Sequence, residues 1–274
     1  MLFDTFIYTT TPALVGIESK DSSLPVYIID IERSLLPNLK LHLKRYKLRS
    51  KFETFESASD KLQLFSVWPS LPADTPPSPN AFILPDPRSH HLGVRVLTNQ
   101  DQPRIQLHPL EVYHILRTLH GVPEGPEEII ENSALPAESN LDVLNGIDYT
   151  KGCYVGQELT SRTYHTGVIR KRLLPVALFP SDRKDVPEPM TLAWNPMIEV
   201  DLPPSGTPFR VEGEKRSPGR FLRGWGNVGW GLCRLDFVDK VLRCEWEGKS
   251  VCVKPFLPEW GTIEEAESKP EKLN

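Results

Sequence analysis

Cysteine is scarce in this chain of 274 residues, and no two cysteines have the Cys-x-x-Cys spacing of closely paired metal ligands. The four cysteines are Cys153, Cys233, Cys244 and Cys252. This number is too small for a disulfide framework, and no secretory leader precedes the first predicted strand. We therefore expect the chain to work in a reducing compartment.

Long apolar runs and a large net charge are also missing. Every apolar stretch ends well short of the roughly 20 residues that a membrane-spanning helix needs. The net charge is -4, so bulk electrostatics recruit neither nucleic acid nor a membrane, and we expect neither as a partner. Residues 1–8 already have the pattern of a strand, which predicts that the N-terminal part of the fold is missing from this chain.

The first half of the chain alternates strands with helices. A β-branched run predicts a strand at 25–32, and the helix that follows at 33–49 has one apolar stripe of Leu35, Leu39, Leu43 and Tyr46. A proline-rich loop is predicted at 69–80 and a second helix at 109–121. Further strands are predicted at 52–57, 62–68, 81–84 and 92–97. This order indicates an α+β fold with ferredoxin-like layers of helices on an antiparallel sheet.

The second half is predicted to be all β. Beyond Gly167 no helical periodicity is found before the C-terminal tail, and Glu247-Gly248 has the residues of a hairpin turn. The strands are predicted at 168–179, 225–237, 242–246 and 250–256. Short strands with tight connections are typical of a small antiparallel β-barrel. We therefore expect an α+β domain at 1–166, a β-barrel domain at 167–257 and a flexible tail at 258–274.

One segment at the junction has the residues of a chemical site. Residues 151–158 read Lys-Gly-Cys-Tyr-Val-Gly-Gln-Glu. The two glycines that bracket Cys153 permit unusual backbone angles and leave room for another group to approach. Lys151 and Arg162 would favour the thiolate of Cys153, the form that attacks electrophiles and binds metals. One cysteine supplies only one ligand to an iron–sulfur cluster, so a partner has to provide the others.

This segment resembles the signature K-G-C-[FY]-x-G-Q-E of the bacterial YgfZ proteins and of their eukaryotic relatives, the Iba-type mitochondrial iron–sulfur assembly factors. The resemblance continues before the segment in Pro123-Glu124-Gly125 and in residues 135–142. It continues after the segment in residues 167–173. Lys47-Leu48-Arg49 at the end of the first helix also resembles the mitochondrial branch. In all, the resemblance covers most of residues 2–260.

The resemblance implies a fold like that of the glycine-cleavage T-protein, with a folate-binding-type α+β region followed by a β-barrel. It implies an assembly factor of the mitochondrial matrix, without enzymatic activity, that matures 4Fe-4S proteins. Its partners would be A-type (Isa-type) scaffold proteins and apo 4Fe-4S client proteins. Cys153 would be one metal ligand of a cluster shared with the scaffold. The residues expected to form the binding site around it are Lys151, Gly152, Tyr154, Gly156, Gln157, Glu158 and Arg162.

Two alternatives from other classes stay open. The first is a tetrahydrofolate-dependent one-carbon transferase or folate-binding module, although residues 92–97 lack the acidic residue of the T-protein folate element. The second is a cysteine hydrolase or transferase that pairs Cys153 with His165. The other three cysteines are expected in the barrel core, because their irregular spacing does not suit zinc.

Two further groups of residues are interpreted as features without catalytic function. The basic helix 40–51 either contacts RNA or an acidic partner or forms a solvated surface. His90-His91 is interpreted as a pair of loop or edge residues, because neighbouring residues on a strand point to opposite faces.

Overall fold

The computed structural model describes residues 4–10, 25–56, 62–68, 81–98, 107–181 and 191–261. The chain divides into two compact units, residues 1–108 and residues 109–274. The loop predicted at 69–80 and the part of the predicted tail beyond residue 261 lie outside the described residues.

The described residues of the first unit form two small antiparallel sheets and one α-helix. Strands β1 (Phe6–Thr10) and β2 (Val26–Asp30) form a ribbon. The helix α1 (Leu36–Tyr46) follows a 3-10 turn and buries Leu35 and Leu39, two residues of the predicted stripe. Three strands form the second sheet in the order β3-β5-β4: β3 (Gln63–Val67), β4 (Ala81–Pro85) and β5 (Val94–Thr98).

The strand predicted at 52–57 is wrong for the described residues 52–56, which are exposed and outside any strand. Strand β3, which lies within the next predicted strand at 62–68, pairs with β5. Phe52, Thr54 and Phe55 have high strand propensity, but a strand also needs a hydrogen-bonded neighbour. His90 and His91 lie in a 3-10 turn between β4 and β5.

The second unit is built on one curled sheet of six antiparallel strands. Its order is β7-β10-β11-β6-β9-β8. The strands are β6 (Lys171–Pro180), β7 (Phe209–Arg210), β8 (Gly219–Trp225), β9 (Val228–Arg234), β10 (Leu242–Trp246) and β11 (Lys249–Pro255). The two edges meet where Pro208 bridges Arg220 and the amide of Phe221 donates to the carbonyl of Thr207 at 2.8 Å. The sheet therefore curls back on itself, as the predicted small barrel requires.

The turns of this sheet confirm one prediction and correct another. The hairpin predicted at Glu247-Gly248 joins β10 to β11. The strand predicted at 225–237 is instead divided between β8 and β9, with a turn at Gly226 and Asn227. Gly226 has a positive φ of 56°. Glycine adopts this conformation readily, and it interrupts the strand at this position.

The interior of the curled sheet is apolar, and it contains two of the cysteines. Cys233 and Cys244 are fully buried there, as predicted. Their neighbours in the core include Leu174, Phe209, Phe221 and Val253. Trp260, in a 3-10 turn at Glu259–Gly261, packs against the same core.

Strand β6 is buried along almost its whole length, so both of its faces are covered. The turn-rich segment 135–146 binds the beginning of this strand. The Arg172 guanidinium binds the Asp142 carboxylate through two contacts of 2.8 Å, and the Asn140 amide donates to the Leu173 carbonyl at 2.6 Å. These bonds anchor the chain just before it reaches the cysteine segment.

Two helices complete the described part of the second unit. The first, α2 (Leu110–Leu119), contacts β8 and β9. The second, α3 (Gln157–Thr166), lies between the cysteine segment and β6. Among the described residues, no helix is both long enough and apolar enough to cross a bilayer.

Candidate functional site

The segment that carries Cys153 begins with a tight turn made by Asp148. One carboxylate oxygen of Asp148 accepts from the Thr150 amide at 2.8 Å and from the Thr150 hydroxyl at 2.7 Å. It also accepts from the Lys151 amide at 3.3 Å. The bonds from Thr150 lower the pKa of Asp148 below its ordinary value. Such turns are frequent at aspartate, because its short side chain reaches the backbone two residues on.

The thiol of Cys153 lies on the surface. Cys153 is exposed and free of any disulfide. Both flanking glycines face open space, since a side-chain carbon added to Gly152 or Gly156 would have no atom within 4 Å. Gly156 has a φ of 87°, a left-handed conformation that other residues rarely adopt. Gly156 therefore shapes the backbone, while Gly152 leaves the approach to the thiol open.

The backbone after Cys153 is held by the start of α3. Gly156 is the residue that precedes the helix. The side-chain oxygen of Gln157 accepts from the Tyr154 amide at 3.2 Å, and the Gln157 amide donates to the Tyr154 carbonyl at 3.2 Å. The Lys151 ammonium lies 4.9 Å from the centre of the Tyr154 ring, a distance suited to a cation–π contact. Three of the predicted site residues thus stabilise one another's positions around Cys153.

Two tyrosines that sequence reasoning did not select close the base of this loop. The rings of Tyr149 and Tyr164 stack with centres 3.8 Å apart and planes 19° apart. Tyr149 precedes the cysteine segment and Tyr164 lies in α3, so the stack joins the two ends of the loop. Burial raises the pKa of Tyr149 to about 12, and its phenol therefore stays protonated near neutral pH. In the sequence, Tyr149 lies two residues before Lys151. Its role in the loop can be recognised only once α3 places Tyr164 against it.

Helix α3 was itself missed by the sequence analysis. Of its residues with described side chains only Thr160 is buried, so it has no apolar stripe of the kind that predicts a helix. Its end is set by Gly167, where an added side-chain carbon would lie 2.7 Å from Thr163. Two more of the predicted site residues, Glu158 and Arg162, are exposed on α3.

The surroundings of Cys153 contain apolar side chains but no complete metal site. Val155 and Leu159 are 68% and 41% exposed. Within the described ranges, no group of three histidine, cysteine or acidic side chains close enough to hold a metal ion includes Cys153. His165 contacts the Tyr164 ring edge-on at 5.0 Å, and no hydrogen bond among the described residues joins it to Cys153.

The remaining cysteines have a different environment. Burial raises the pKa of the Cys233 thiol, and it raises that of Cys244 to about 12. Thiols of this kind stay protonated and pack like small apolar groups. Cys252 is half-buried, and burial raises its pKa as well. Of the four cysteines, Cys153 is the exposed one.

A buried polar network of the first unit includes β5. This strand overlaps residues 92–97, where the resemblance places the folate element of the T-protein. The Arg95 guanidinium on β5 donates to the Tyr8 hydroxyl at 2.7 Å and forms an ion pair with Asp30 at 2.5 Å. Asp86 lies 3.8 Å from the same guanidinium and forms an ion pair with Arg88 at 2.8 Å. Burial raises the pKa of Tyr8 above its ordinary value. Arg95 is thus bound by side chains of its own unit.

Comparison with known families identifies the fold of the curled sheet. Residues 170–262 match the C-terminal β-barrel domain of CAF17. This range contains all six strands of the sheet. The chain is therefore a mixed α/β protein whose second unit carries a CAF17-type β-barrel domain.

Proteins that are similar over nearly the whole chain identify its family. Three fungal proteins named "iron-sulfur cluster assembly factor IBA57 homolog, mitochondrial" are similar to it. The protein of Pyricularia oryzae is 39% identical over 95% of this chain and 72% of its own length. Those of Neurospora crassa and Neosartorya fischeri are 38% and 36% identical over 90% and 98% of this chain. The chain belongs to the family of mitochondrial IBA57 homologues. It spans 63% and 65% of the length of the Neurospora and Neosartorya relatives.

Proposed function

We propose that this chain works in the mitochondrial matrix as an assembly factor for iron–sulfur clusters, and that Cys153 binds a cluster together with a partner protein. The observation that carries the proposal is the exposed thiol at the tip of a braced loop. The names of the relatives support the general role. The T-protein-like fold predicted for residues 1–166 is part of the same proposal.

The chemistry follows from the number of ligands. A 4Fe-4S cluster takes about four protein ligands, and thiolates are the usual ones. Cys153 provides one, while the other cysteines of the chain are buried or half-buried in the curled sheet. The partner therefore supplies the remaining ligands, and we infer an A-type (Isa-type) scaffold in this role. The cluster is the cargo, and apo 4Fe-4S proteins receive it.

The loop prepares the thiol for this task. Its backbone is held by Asp148, Gln157 and the stacked Tyr149 and Tyr164 rings. A ligand that is already in position loses little conformational freedom when the cluster binds. Gly152 leaves space beside the thiol for the partner's backbone to approach.

Anaerobic reconstitution with an A-type scaffold tests the proposal. The parent chain and Cys153→Ser are mixed with the scaffold, iron and sulfide, and the visible absorbance and the size of the complex are recorded. We expect the parent to form a cluster-bound complex that Cys153→Ser does not form. Cys252→Ser is the matched control, because it removes a half-buried thiol on β11 and should behave like the parent. If Cys153→Ser gives the same absorbance and the same complex, Cys153 is not a ligand.

A further inference from the structure

The outward face of α1 combines cations with exposed leucines. Residues Lys40, Leu41, Lys44, Arg45 and Leu48 are all exposed, whereas Leu35 and Leu39 on the opposite side are buried. Leu41 and Arg45 are four residues apart in α1, so they share one side of the helix, and Leu48 follows just beyond the C-terminal end of α1. Leu41 is 68% exposed and Leu48 86% exposed.

The turn after the helix holds Leu48 outward. Helix α1 ends at Tyr46, where the Lys47 amide donates to the Leu43 carbonyl at 2.9 Å. The Ser50 amide then donates to the Lys47 carbonyl at 2.8 Å, and Leu48 takes a left-handed φ of 44°. A leucine in this conformation is uncommon and strained. The strain presents an apolar side chain to solvent between Lys47 and Arg49.

Aromatic side chains continue the apolar surface. Phe52 is 40% exposed and Phe55 is 70% exposed. The Lys47 ammonium lies 5.0 Å from the centre of the Phe52 ring, so the lysine stem covers part of that ring. We call residues 40–55 the basic–apolar segment.

The charge of the segment is opposite to that of the chain. Residues 40–55 include six lysines and arginines and one acidic residue, Glu53, although the net charge of the whole chain is -4. Lys40 forms an ion pair with Glu56. The local charge attracts an anionic surface that the chain as a whole does not attract.

We propose that the basic–apolar segment binds the surface of an anionic phospholipid bilayer. Lysine and arginine contact the phosphate headgroups, and Leu48 and Phe55 enter the boundary between headgroups and acyl chains. The exposed Leu41 and Leu48 favour lipid over RNA, because bases stack on planar rings and not on aliphatic side chains. The net charge of -4 predicted no membrane partner, but a net charge does not reveal a local basic surface. The proposal does not depend on the role of Cys153.

Vesicle sedimentation tests this binding with the whole chain. Vesicles of phosphatidylcholine alone are compared with vesicles that also contain cardiolipin, at low and at high salt. We expect binding to the anionic vesicles only, and we expect high salt to weaken it because salt screens exposed charges. Leu48→Ser should weaken the binding about tenfold, since it removes one buried leucine from the contact.

The matched control is Leu110→Ser. Leu110 opens α2 in the other unit and is 68% exposed, so its replacement removes an exposed leucine elsewhere and should leave binding unchanged. A Lys44→Ser, Arg45→Ser double variant should weaken binding about thirtyfold. Circular dichroism verifies that each variant folds.

Three results would overturn the proposal. The first is equal binding, or none, to neutral and anionic vesicles. The second is an equal loss of binding for Leu48→Ser and Leu110→Ser. The third is binding of the parent chain to an RNA oligonucleotide but not to anionic vesicles, with sensitivity to the Lys44→Ser, Arg45→Ser change, which would assign the segment to nucleic acid.

Discussion

Arg117 and Glu128 form an ion pair deep inside the second unit. The two carboxylate oxygens of Glu128 each accept from the guanidinium at 2.6 Å, and the Glu124 amide donates to the same carboxylate at 2.9 Å. Both residues are only 1% exposed. A charge at this depth is tolerated only while its partner compensates it.

The substitution Glu128→Gln removes one charge and nearly preserves the shape of the side chain. The Arg117 guanidinium then remains buried without the carboxylate that binds it directly. We expect the free energy of unfolding to fall by about 3–5 kcal/mol, the range measured when one partner of a buried pair is removed. Arg117→Met should cost a similar amount. The double variant should lose less than the sum of the two, because neither charge is left alone.

Urea unfolding followed by tryptophan fluorescence measures these changes. Trp230 is fully buried on β9, and the Trp225 ring lies 5.5 Å from the Arg117 guanidinium. Both report on the unit that contains the pair. The matched control is the neighbouring Glu127→Gln. Glu127 pairs with Arg223 at the surface, with 62% of its side chain exposed, and its replacement should cost no more than about 1 kcal/mol.

The outcome that refutes this reasoning is specific. If Glu128→Gln lowers the free energy of unfolding by no more than Glu127→Gln does, the buried pair does not stabilise the unit as argued. Full additivity in the double variant would also contradict the argument, since it would mean that Arg117 and Glu128 do not depend on each other.

Two other predictions concern His114 and the aromatic stack. Burial, and next the Arg117 guanidinium, lower the pKa of His114 from 6.5 to about 4. The free energy of unfolding should therefore be highest above pH 6.5 and fall by about 2 kcal/mol towards pH 4, after allowance for solvent screening of a half-buried ring. An equal pH dependence in His114→Gln would contradict this. Tyr164→Ala should raise the rate of tryptic cleavage after Lys151 about two- to tenfold, because it removes the stack with Tyr149. Tyr164→Phe keeps the ring and should be cleaved like the parent, and equal rates in all three chains would refute the role of the stack.

Local sequence was sufficient for the elements that have a strong pattern of their own. The stripe that contains Leu35 and Leu39 predicted α1, because a helix that packs on one side repeats its apolar residues every three to four positions. The hairpin at Glu247-Gly248 was predictable because a tight turn needs a residue that accepts positive φ. Cys153 between two glycines was likewise visible without any structure.

Elements that depend on distant partners escaped the sequence analysis. Helix α3 has a single buried residue among its described side chains, Thr160, and thus lacks the stripe that predicts a helix. Residues 52–56 have strand propensity, but no strand among the described residues pairs with them. Arg95 finds the Tyr8 hydroxyl 87 positions away along the chain. None of these features can be read from the local pattern of apolar and polar residues.

For the candidate site, the sequence by itself predicted Cys153 as the candidate ligand, because it is the one of the four cysteines that lies in a glycine-bracketed, charged segment. The tertiary structure decided that this thiol is exposed while Cys233 and Cys244 are buried, and that Tyr149 and Tyr164 brace its loop. Exposure and ring stacking depend on how separate segments pack in space. The sequence specifies the type of each residue, but the neighbours of a residue in space are set only when the chain folds.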